Sequence, residues 1–194
     1  MNPAYRWRTV DIVVASVIAV TFGVVFWAWD LLWNASGAAF GWFAPAQALI
    51  YGVWLMPAVL AGLIIRKPGA AVFTETVAAV ISALIGNKWG ATVLPQGLLE
   101  GLGAELAFAL FWYRSFKLPV AMLAGALAGL AATLFDAFYW QSSYSFLHYN
   151  LPYIASGTLS AILVAGVGGF ALTRALAETG ALDRFGSGRE RALV

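Results

Sequence analysis

The sequence predicts an all-α integral membrane protein, a six-transmembrane-helix bundle with the N and C termini in the cytoplasm. Of its 194 residues, 62% are hydrophobic and only 10% are charged, whereas a soluble domain carries about 25% charged residues. Six apolar segments have roughly the length that a helix needs to cross the hydrocarbon core of a bilayer. Most of the Lys and Arg residues between those segments fall on one side of the predicted bundle, which indicates its orientation.

The six apolar segments are predicted to be helical because backbone N–H and C=O groups find no water partners in hydrocarbon. Their apolar residues run continuously and do not alternate with period two, which argues against a transmembrane β-barrel. The first segment follows a short polar start and lacks a clear small-residue cleavage site, so we interpret it as a retained span and not a signal peptide. The predicted spans cover residues 12–29, 43–65, 70–88, 94–113, 118–139 and 152–172.

The basic residues favour one orientation of this six-span arrangement. Six spans place both termini on the same side, and of the 11 Lys and Arg residues only Lys88 then falls on the opposite side. Because cytoplasmic loops carry an excess of Lys and Arg, the basic side is predicted to be cytoplasmic. We interpret the chain as a single membrane domain, in which residues 173–194 form a solvated cytoplasmic tail. The residues on the basic side are Arg6, Arg8, Arg66, Lys67, Arg114, Lys117, Arg174, Arg184, Arg189 and Arg191.

Five carboxylates lie within or at the ends of the predicted spans. A helical rise of about 1.5 Å per residue places Asp30, Glu100 and Asp136 in the outer half of the membrane. The same arithmetic places Glu105 near the middle and Glu75 in the inner half. Ionisable residues in a membrane are costly and usually mark a functional site, so these acids are the first candidates for one.

Each acid also has a simpler interpretation, as a helix cap or as a solvated loop residue. For Asp30 the simpler interpretation is favoured, and for Glu100 and Asp136 both interpretations stay open. We interpret Glu105 as a site residue or as a packing hydrogen-bond partner. Glu75 belongs to the site or pairs with a basic residue of the preceding turn.

Aromatic and amide side chains concentrate near the predicted outer face, beside the acids. Interfacial aromatic belts form at both faces of a membrane, so rings gathered at one face also suggest the lining of a ligand site. Gln96 and Glu100 are four residues apart and share a helix face, as Asp136 and Trp140 do. The candidate ligand-binding residues beside the acids are Trp33, Gln47, Tyr51, Trp54, Asn87, Trp89, Gln96, Tyr139, Trp140 and His148.

Carboxylates without matching bases, beside many aromatic rings, indicate a pocket for an organic cation or a flat heterocycle. The rings would stack on the ligand and attract its charge, and the carboxylates would offset that charge or accept hydrogen bonds. A phosphate or carboxylate ligand would require Arg in the pocket, and the predicted outer half has none.

Several function classes lack their sequence signals. The chain has no Cys and one His, which leaves no Cys- or His-rich metal site. It has no P-loop and none of the common hydrolase motifs, so we predict no cofactor, no metal and no catalytic residue. The net charge of +2 is no signal for nucleic acid. An intramembrane enzyme using Glu100, Glu105 and Asp136 is kept as an alternative, as is a structural subunit without a ligand.

The chain is also short for a self-sufficient transporter built of two inverted repeats. A binding subunit that borrows its energy source fits the length better. In the first span, Ala15 and Ala19 are four residues apart, a spacing that lets two helices approach closely in lipid. Such a pair either packs within the protein's own bundle or faces a partner subunit.

The central segment of the chain carries the motifs Arg66-Lys67-Pro68-Gly69, Thr74-Glu75, Trp89-Gly90, Glu100-Gly101-Leu102-Gly103-Ala104-Glu105-Leu106 and Tyr113-Arg114. With these motifs it resembles the YkoE family, the substrate-specific S components of energy-coupling factor (ECF) ABC transporters. The resemblance implies a multi-pass protein of the bacterial plasma membrane. It also implies a subunit that binds thiamine or its hydroxymethylpyrimidine (HMP) precursor and works with a transmembrane T component and two cytoplasmic ATPases. The Ala15–Ala19 pair is similar to the motif by which S components dock on the T component. An S component for another vitamin is the alternative within this class.

Overall fold

The computed structural model describes residues 5–189, and all regular secondary structure in that range is helical. A 3₁₀ helix, Ala44–Val53, leads into α2, and a short one, Gly90–Thr92, leads into α4. Two π-helical segments, Phe146–Asn150 and Ala161–Gly168, flank α6, so that the chain is continuously helical from Phe146 to Glu178. The α-helices are α1 (Thr9–Ser36), α2 (Met56–Ile65), α3 (Ala70–Ile85), α4 (Val93–Leu110), α5 (Leu118–Tyr139), α6 (Leu151–Ser160), α7 (Gly169–Glu178) and α8 (Gly186–Arg189).

Five helical segments of the described chain are long and apolar enough to cross a membrane, and α3 is a shorter apolar helix of 16 residues. Helix α3 ends three residues before its predicted end because Gly86 adopts a left-handed conformation with φ of 101°. The amide of Gly86 then donates to the carbonyls of Ser82 and Ala83, which closes the helix. The five long segments are Thr9–Ser36, Ala44–Ile65, Gly90–Leu110, Leu118–Tyr139 and Phe146–Glu178.

Helix α2 lies at the centre of the bundle. Every residue from Pro57 to Ile65 is buried, whereas α1 exposes Val13, Val17 and Val24. Exposed aliphatic side chains on a helix of this hydropathy match a lipid-facing surface. The helix that is apolar on all sides is therefore enclosed by the others.

Small residues let neighbouring helices touch at their backbones. A Cβ atom built on Gly125 of α5 would lie 2.4 Å from the carbonyl oxygen of Ala161, and one on Gly103 of α4 would lie 2.5 Å from that of Leu127. Without a hydrophobic driving force between helices in lipid, such close van der Waals packing is a main source of association. These contacts fix the positions of α4, α5 and the last long helix around the site described below.

The small pair of α1 packs inside the protein. Ala15 and Ala19 are both fully buried, and Ala15 belongs to the same apolar cluster as Leu60 and Ile64 of α2. The pair is thus covered by this chain's own helices. This burial favours the alternative of packing within the bundle, and docking of Ala15 and Ala19 on a partner subunit stays a prediction.

The segment that follows α7 also packs on the bundle. Leu182 and Phe185 are buried, and the Ser187 hydroxyl donates to the Ile64 carbonyl oxygen over 3.3 Å. This part of the predicted tail therefore buries some of its side chains against the bundle, whereas Arg174, Glu178 and Asp183 are exposed. Residues 190–194, which include Arg191, lie outside the described range.

A buried ion cluster joins the start of α1 to the turn between α2 and α3. Asp11 accepts hydrogen bonds from the Arg8 side chain at 2.8 Å and from Lys67 Nζ at 2.5 Å. The hydrogen bond to Asp11 raises the pKa of Arg8 above its ordinary value. Lys67 thus pairs with Asp11. The sequence had left open that a basic residue of this turn pairs with Glu75, and Lys67 does not do so.

Candidate ligand cavity

A cavity of about 200 Å³ opens at the end of the bundle opposite the chain termini. Six parts of the chain meet there: the last turns of α1, the 3₁₀ helix before α2, the end of α3, the start of α4, the end of α5 and the start of the final long helix. The lining residues are Phe26, Asp30, Trp33, Ala44, Gln47, Tyr51, Trp54, Ala79, Ser82, Trp89, Val93, Gln96, Glu100, Asp136, Trp140, Gln141, Tyr149 and Tyr153.

Asp136 is the hydrogen-bonding centre of this cavity. Its Oδ2 accepts from the Tyr51 hydroxyl at 2.9 Å and from the Tyr153 hydroxyl at 2.8 Å. Gln96 Nε2 lies 3.2 Å from Asp136 Oδ1 and 2.6 Å from the Tyr51 oxygen. Three donors from three separate elements thus surround one carboxylate and hold it in place at the centre of the cavity.

The local sequence explains why Tyr51 reaches Asp136. The next residue, Gly52, presses against the last long helix, and its amide donates to Ser160 Oγ at 2.9 Å. A Cβ at Gly52 would lie 2.5 Å from the Ser160 carbonyl oxygen, so only glycine permits this approach. The serine in turn donates to the Leu49 carbonyl at 2.7 Å, and these contacts hold the 3₁₀ turn that carries Tyr51.

Aromatic rings form two walls of the cavity. On one wall the Trp54 ring centroid lies 5.1 Å from those of both Trp33 and Tyr51. On the other, the Trp89 and Trp140 centroids are 5.5 Å apart. Gln47 Nε2 donates to the Trp33 carbonyl at 2.7 Å and ties the first wall to α1. Ring faces and edges at these separations offer stacking surfaces to a flat or cationic ligand.

Two further carboxylates, Asp30 and Glu100, line the cavity and are buried to 4% and 5% exposure. Asp30 has the Trp89 and Trp54 side chains and Lys88 as neighbours. It is not a solvated cap, so the interpretation that the sequence favoured for Asp30 is wrong. The apolar run that defined the first predicted span ends at residue 29, which suggested that Asp30 follows the helix. In the structure α1 continues to Ser36, and Asp30 lies on its buried face.

Lys88 lies at the rim of this end of the bundle. Burial lowers the pKa of Lys88, and the nearby Asp30 carboxylate opposes that shift. Its ammonium group donates to Asn34 Oδ1 and lies 4.1 Å from the Trp89 ring centroid. Among the lining residues of the described chain there is no Lys, Arg or His, so the cavity itself has an acidic and aromatic character.

The structure brings together nine of the residues that the sequence singled out for ligand binding. It adds polar and aromatic residues that the sequence interpretation missed. Tyr149 and Tyr153 are four residues apart near the start of a predicted span, so their helical spacing could have indicated that they share a face. The residues brought together are Trp33, Gln47, Tyr51, Trp54, Trp89, Gln96, Glu100, Asp136 and Trp140, and the missed ones are Phe26, Asp30, Ser82, Gln141, Tyr149 and Tyr153.

Glu105 lies away from the cavity and caps a helix. Its two oxygens accept from the amides of Gly69 at 2.8 Å and Ala71 at 2.9 Å, at the start of α3. The Tyr113 hydroxyl donates to the same carboxylate at 2.7 Å. Burial and this carboxylate raise the pKa of Tyr113 above its ordinary value. A negative charge at a helix N-terminus is stabilising, so the packing interpretation describes Glu105 and the site interpretation does not.

Three more predicted binding residues lie outside the cavity lining. Asn87 Oδ1 accepts from the amides of Trp89 and Gly90 at 2.9 and 2.7 Å and shapes the turn before α4. Tyr139 stacks on Phe135 with centroids 5.3 Å apart and lines a separate shallow groove. His148 is exposed, with Nδ1 3.2 Å from Ser145 Oγ. Direct ligand contact by Asn87, Tyr139 and His148 is therefore not supported by this geometry.

Glu75 is also absent from the cavity wall. It is fully buried between α2 and α4, and its Oε2 accepts from the Ala58 amide at 2.9 Å. Its Oε1 finds no hydrogen-bond partner among the described residues. Direct ligand contact by Glu75 is therefore not supported by this geometry.

A cavity lined by aromatic rings and carboxylates at one end of an apolar helix bundle defines a ligand-binding protein of the membrane. Comparison with known proteins then places it in a family. Residues 10–131, more than half of the chain, match the model of a family described as the ABC-type cobalt transport system, permease component. A solved S component of an ECF transporter has a TM-score of 0.90 at 36% identity, over 96% of this chain and 94% of its own.

YkoE of Bacillus subtilis (strain 168), provisionally named an HMP/thiamine permease, is 36% identical over 185 residues, or 95% of this chain and 92% of its own length. The chain belongs to the YkoE family of ECF transporter S components. These relatives are transporter subunits and not enzymes. The protein is accordingly a multi-pass protein of the bacterial plasma membrane.

Proposed function

We propose that this S component captures thiamine or HMP from the outer side of the membrane and delivers it to a T component powered by separate ATPases. The observation that carries the proposal is the cavity, in which Asp136 and the paired tryptophans surround a space without a basic side chain in its lining. Thiamine combines a positive charge with an aminopyrimidine ring, so carboxylates and ring faces are the groups it requires. The name of the YkoE relative supports the same substrates.

The orientation follows from the charges and the fold. We count six spans, the five long helices and α3, with both termini in the cytoplasm. Lys88 is at the cavity end of the bundle, whereas Arg8, Lys67 and Arg184 lie near one another at the opposite end. Since the basic end faces the cytoplasm, the cavity opens to the outside.

The partners follow from the family. A chain that carries no nucleotide-binding motif draws its energy from other subunits, and ECF S components in general work with a T component and ATPases. We infer that a lipid-facing surface other than the one bearing Ala15 and Ala19 meets the T component, because both alanines are buried. The exposed face of α1 carries Val17, which is 60% exposed. Site-specific crosslinking from Val17 into a co-expressed T component would test whether this face meets it.

The binding proposal is tested by titrating tryptophan fluorescence of the detergent-purified protein with thiamine and, separately, with HMP. We expect saturable quenching by at least one of them, and a Trp33→Phe variant should bind more weakly because Trp33 forms part of the cavity wall. Trp42→Phe is the matched control, since Trp42 is 79% exposed and should leave affinity unchanged.

Two outcomes would redirect the proposal. Folded protein that binds neither compound but binds another vitamin would keep the class and change the substrate. Saturable binding of Co²⁺ would instead support the wording of the matched family model. Within the described residues, no group of three or more His, Cys, Asp or Glu side chains is placed to hold a metal ion, and for this reason we propose the organic ligand.

A further inference from the structure

The cavity is lined by several acidic side chains and, among the described residues, by no basic one. Asp30, Glu100 and Asp136 all line a space of about 200 Å³ whose described lining has no basic side chain. Carboxylates that share one poorly hydrated site cannot all ionise, because each charge disfavours the next. The empty site must therefore retain at least one proton, and the surroundings of each acid indicate which one holds it.

Asp136 and Asp30 are each provided with groups that stabilise a negative charge. Asp136 accepts from Tyr51, Tyr153 and Gln96. Asp30 has the Lys88 ammonium group nearby, together with the indoles of Trp54 and Trp89. Hydrogen bonds to the ionised form and an opposite charge both lower the cost of ionising a carboxylate.

Glu100 has the opposite surroundings. It lines the same cavity as Asp136 of α5 and Tyr51 of the 3₁₀ helix, and the next residue of α4, Gly101, packs against Glu75 of α3. Gln96 of its own helix has its amide group directed at Tyr51 and Asp136, and α2 has no titratable side chain. With Asp136 in the same lining and no basic side chain there, Glu100 is the carboxyl that is most costly to ionise in the empty site.

Glu75 lies on α3 outside the cavity, where α3 packs against the part of α4 that carries Glu100. The two helices approach closely there: a Cβ on Gly101 would be 3.2 Å from the Glu75 Cβ. Glu75 is fully buried, has one backbone donor and leaves Oε1 without a partner among the described residues. Because Glu75 is not part of the cavity lining, a cation that enters the cavity meets Glu100 and not Glu75.

We propose that Glu100 is protonated in the empty site and releases its proton when an organic cation binds, so that capture is an exchange of a cation for a proton. This inference rests on the proposed function. The carboxylic acid gives up H⁺ to water, and the carboxylate that remains offsets the positive charge of the ligand. A neutral ligand in the same cavity provides no reason for the proton to leave.

The exchange makes affinity depend on pH with a defined sign. While Glu100 is protonated in the empty site, the association constant for a cation rises about tenfold per pH unit, since one proton is released per ligand bound. An uncharged ligand shows no such slope. The site therefore distinguishes a cation from a neutral heterocycle by charge as well as by shape, and does so better as the pH rises.

Isothermal titration calorimetry of the purified protein tests the exchange. The observed binding enthalpy is measured in buffers of different ionisation enthalpy at one pH, and the slope gives the number of protons released. We expect about one proton for thiamine and none for HMP at a pH where its aminopyrimidine is neutral. Thiamine binding with no proton release in the wild-type protein would overturn the proposal, while absence of binding by either compound would overturn the proposed function and this inference together.

A matched pair of variants assigns the proton to one residue. Glu100→Gln should abolish the release of a proton, and Glu75→Gln, an isosteric change of a buried carboxyl outside the cavity, should retain about one. If Glu100→Gln does not bind, the wild-type buffer series and Glu75→Gln still decide the question. A Glu75→Gln variant that binds thiamine without releasing a proton would place the exchanging proton on Glu75 and overturn the assignment to Glu100.

Discussion

The Tyr51 hydroxyl donates to Asp136 Oδ2 at 2.9 Å, and this bond joins residues 85 positions apart in the chain. It connects the 3₁₀ helix before α2 to the end of α5. Because Tyr153 donates to the same oxygen, three helical segments meet at one carboxylate. The bond therefore belongs both to the fold and to the cavity.

Tyr51→Phe should separate these two roles. The variant removes one donor to Asp136 and one partner of Gln96, and a hydrogen bond to a charged group is worth about 1.5–3 kcal/mol. We expect thiamine affinity to fall about tenfold or more, with a lowered melting temperature. Calorimetry and a thermal unfolding scan measure the two effects, and Tyr139→Phe, outside the cavity, is the control. Unchanged affinity would remove the Tyr51–Asp136 bond from the binding site.

Asp136→Asn changes the centre of the same network without changing its size. The amide removes the negative charge that three donors surround, and it introduces an N–H group facing hydroxyls that now have no anion to bond. We expect cation affinity to fall about 10- to 100-fold, in line with about 1.5–3 kcal/mol for a charged hydrogen bond. Affinity for HMP should fall less, since it lacks the positive charge. An equal loss for both ligands would show that Asp136 only organises the cavity.

Much of the site could be read from the sequence because its signals are local. Helical spacing placed Gln96 with Glu100 and Asp136 with Trp140, and all four line the cavity. The excess of acids over bases at one end required only a hydropathy pattern and a charge count. Asp30 was misread for the same local reason: the apolar run stops near Trp29, although the helix continues.

The remaining features depend on contacts between distant parts of the chain. The buried face of α1 could not be predicted, because a helix that is apolar on every side gives no periodic signal, and so the sequence left both interpretations of Ala15 and Ala19 open. Glu105 caps α3 by accepting from the amides of Gly69 and Ala71, which are 36 and 34 residues away in the chain. No sequence pattern near Glu105 indicates such a bond. The packing of Phe185 on the bundle is non-local in the same way.

Glu105→Ala should therefore affect stability and leave binding intact. It removes an acceptor for the Gly69 and Ala71 amides, and loss of a helix cap costs about 0.5–2 kcal/mol. We expect a lower melting temperature and an unchanged thiamine affinity for the folded fraction. Glu105→Gln keeps one amide oxygen as acceptor and should lie between the wild type and Glu105→Ala in stability. A large loss of affinity in Glu105→Gln at wild-type stability would restore Glu105 to the site.

Gly125→Ala tests whether backbone contact between helices holds the cavity together. The added methyl would lie 2.4 Å from the Ala161 carbonyl oxygen, and because that atom belongs to a helix backbone, one of the two helices must move. Overpacking of this kind costs about 1–3 kcal/mol, and the movement would shift Asp136 on α5 relative to Tyr153. We expect a lower melting temperature together with weaker thiamine binding. Gly37→Ala is the control, since its nearest neighbour would lie 3.8 Å away. Equal melting temperatures for Gly125→Ala and Gly37→Ala would contradict the prediction, because they would show that the close contact at Gly125 does not hold α5 against the last long helix.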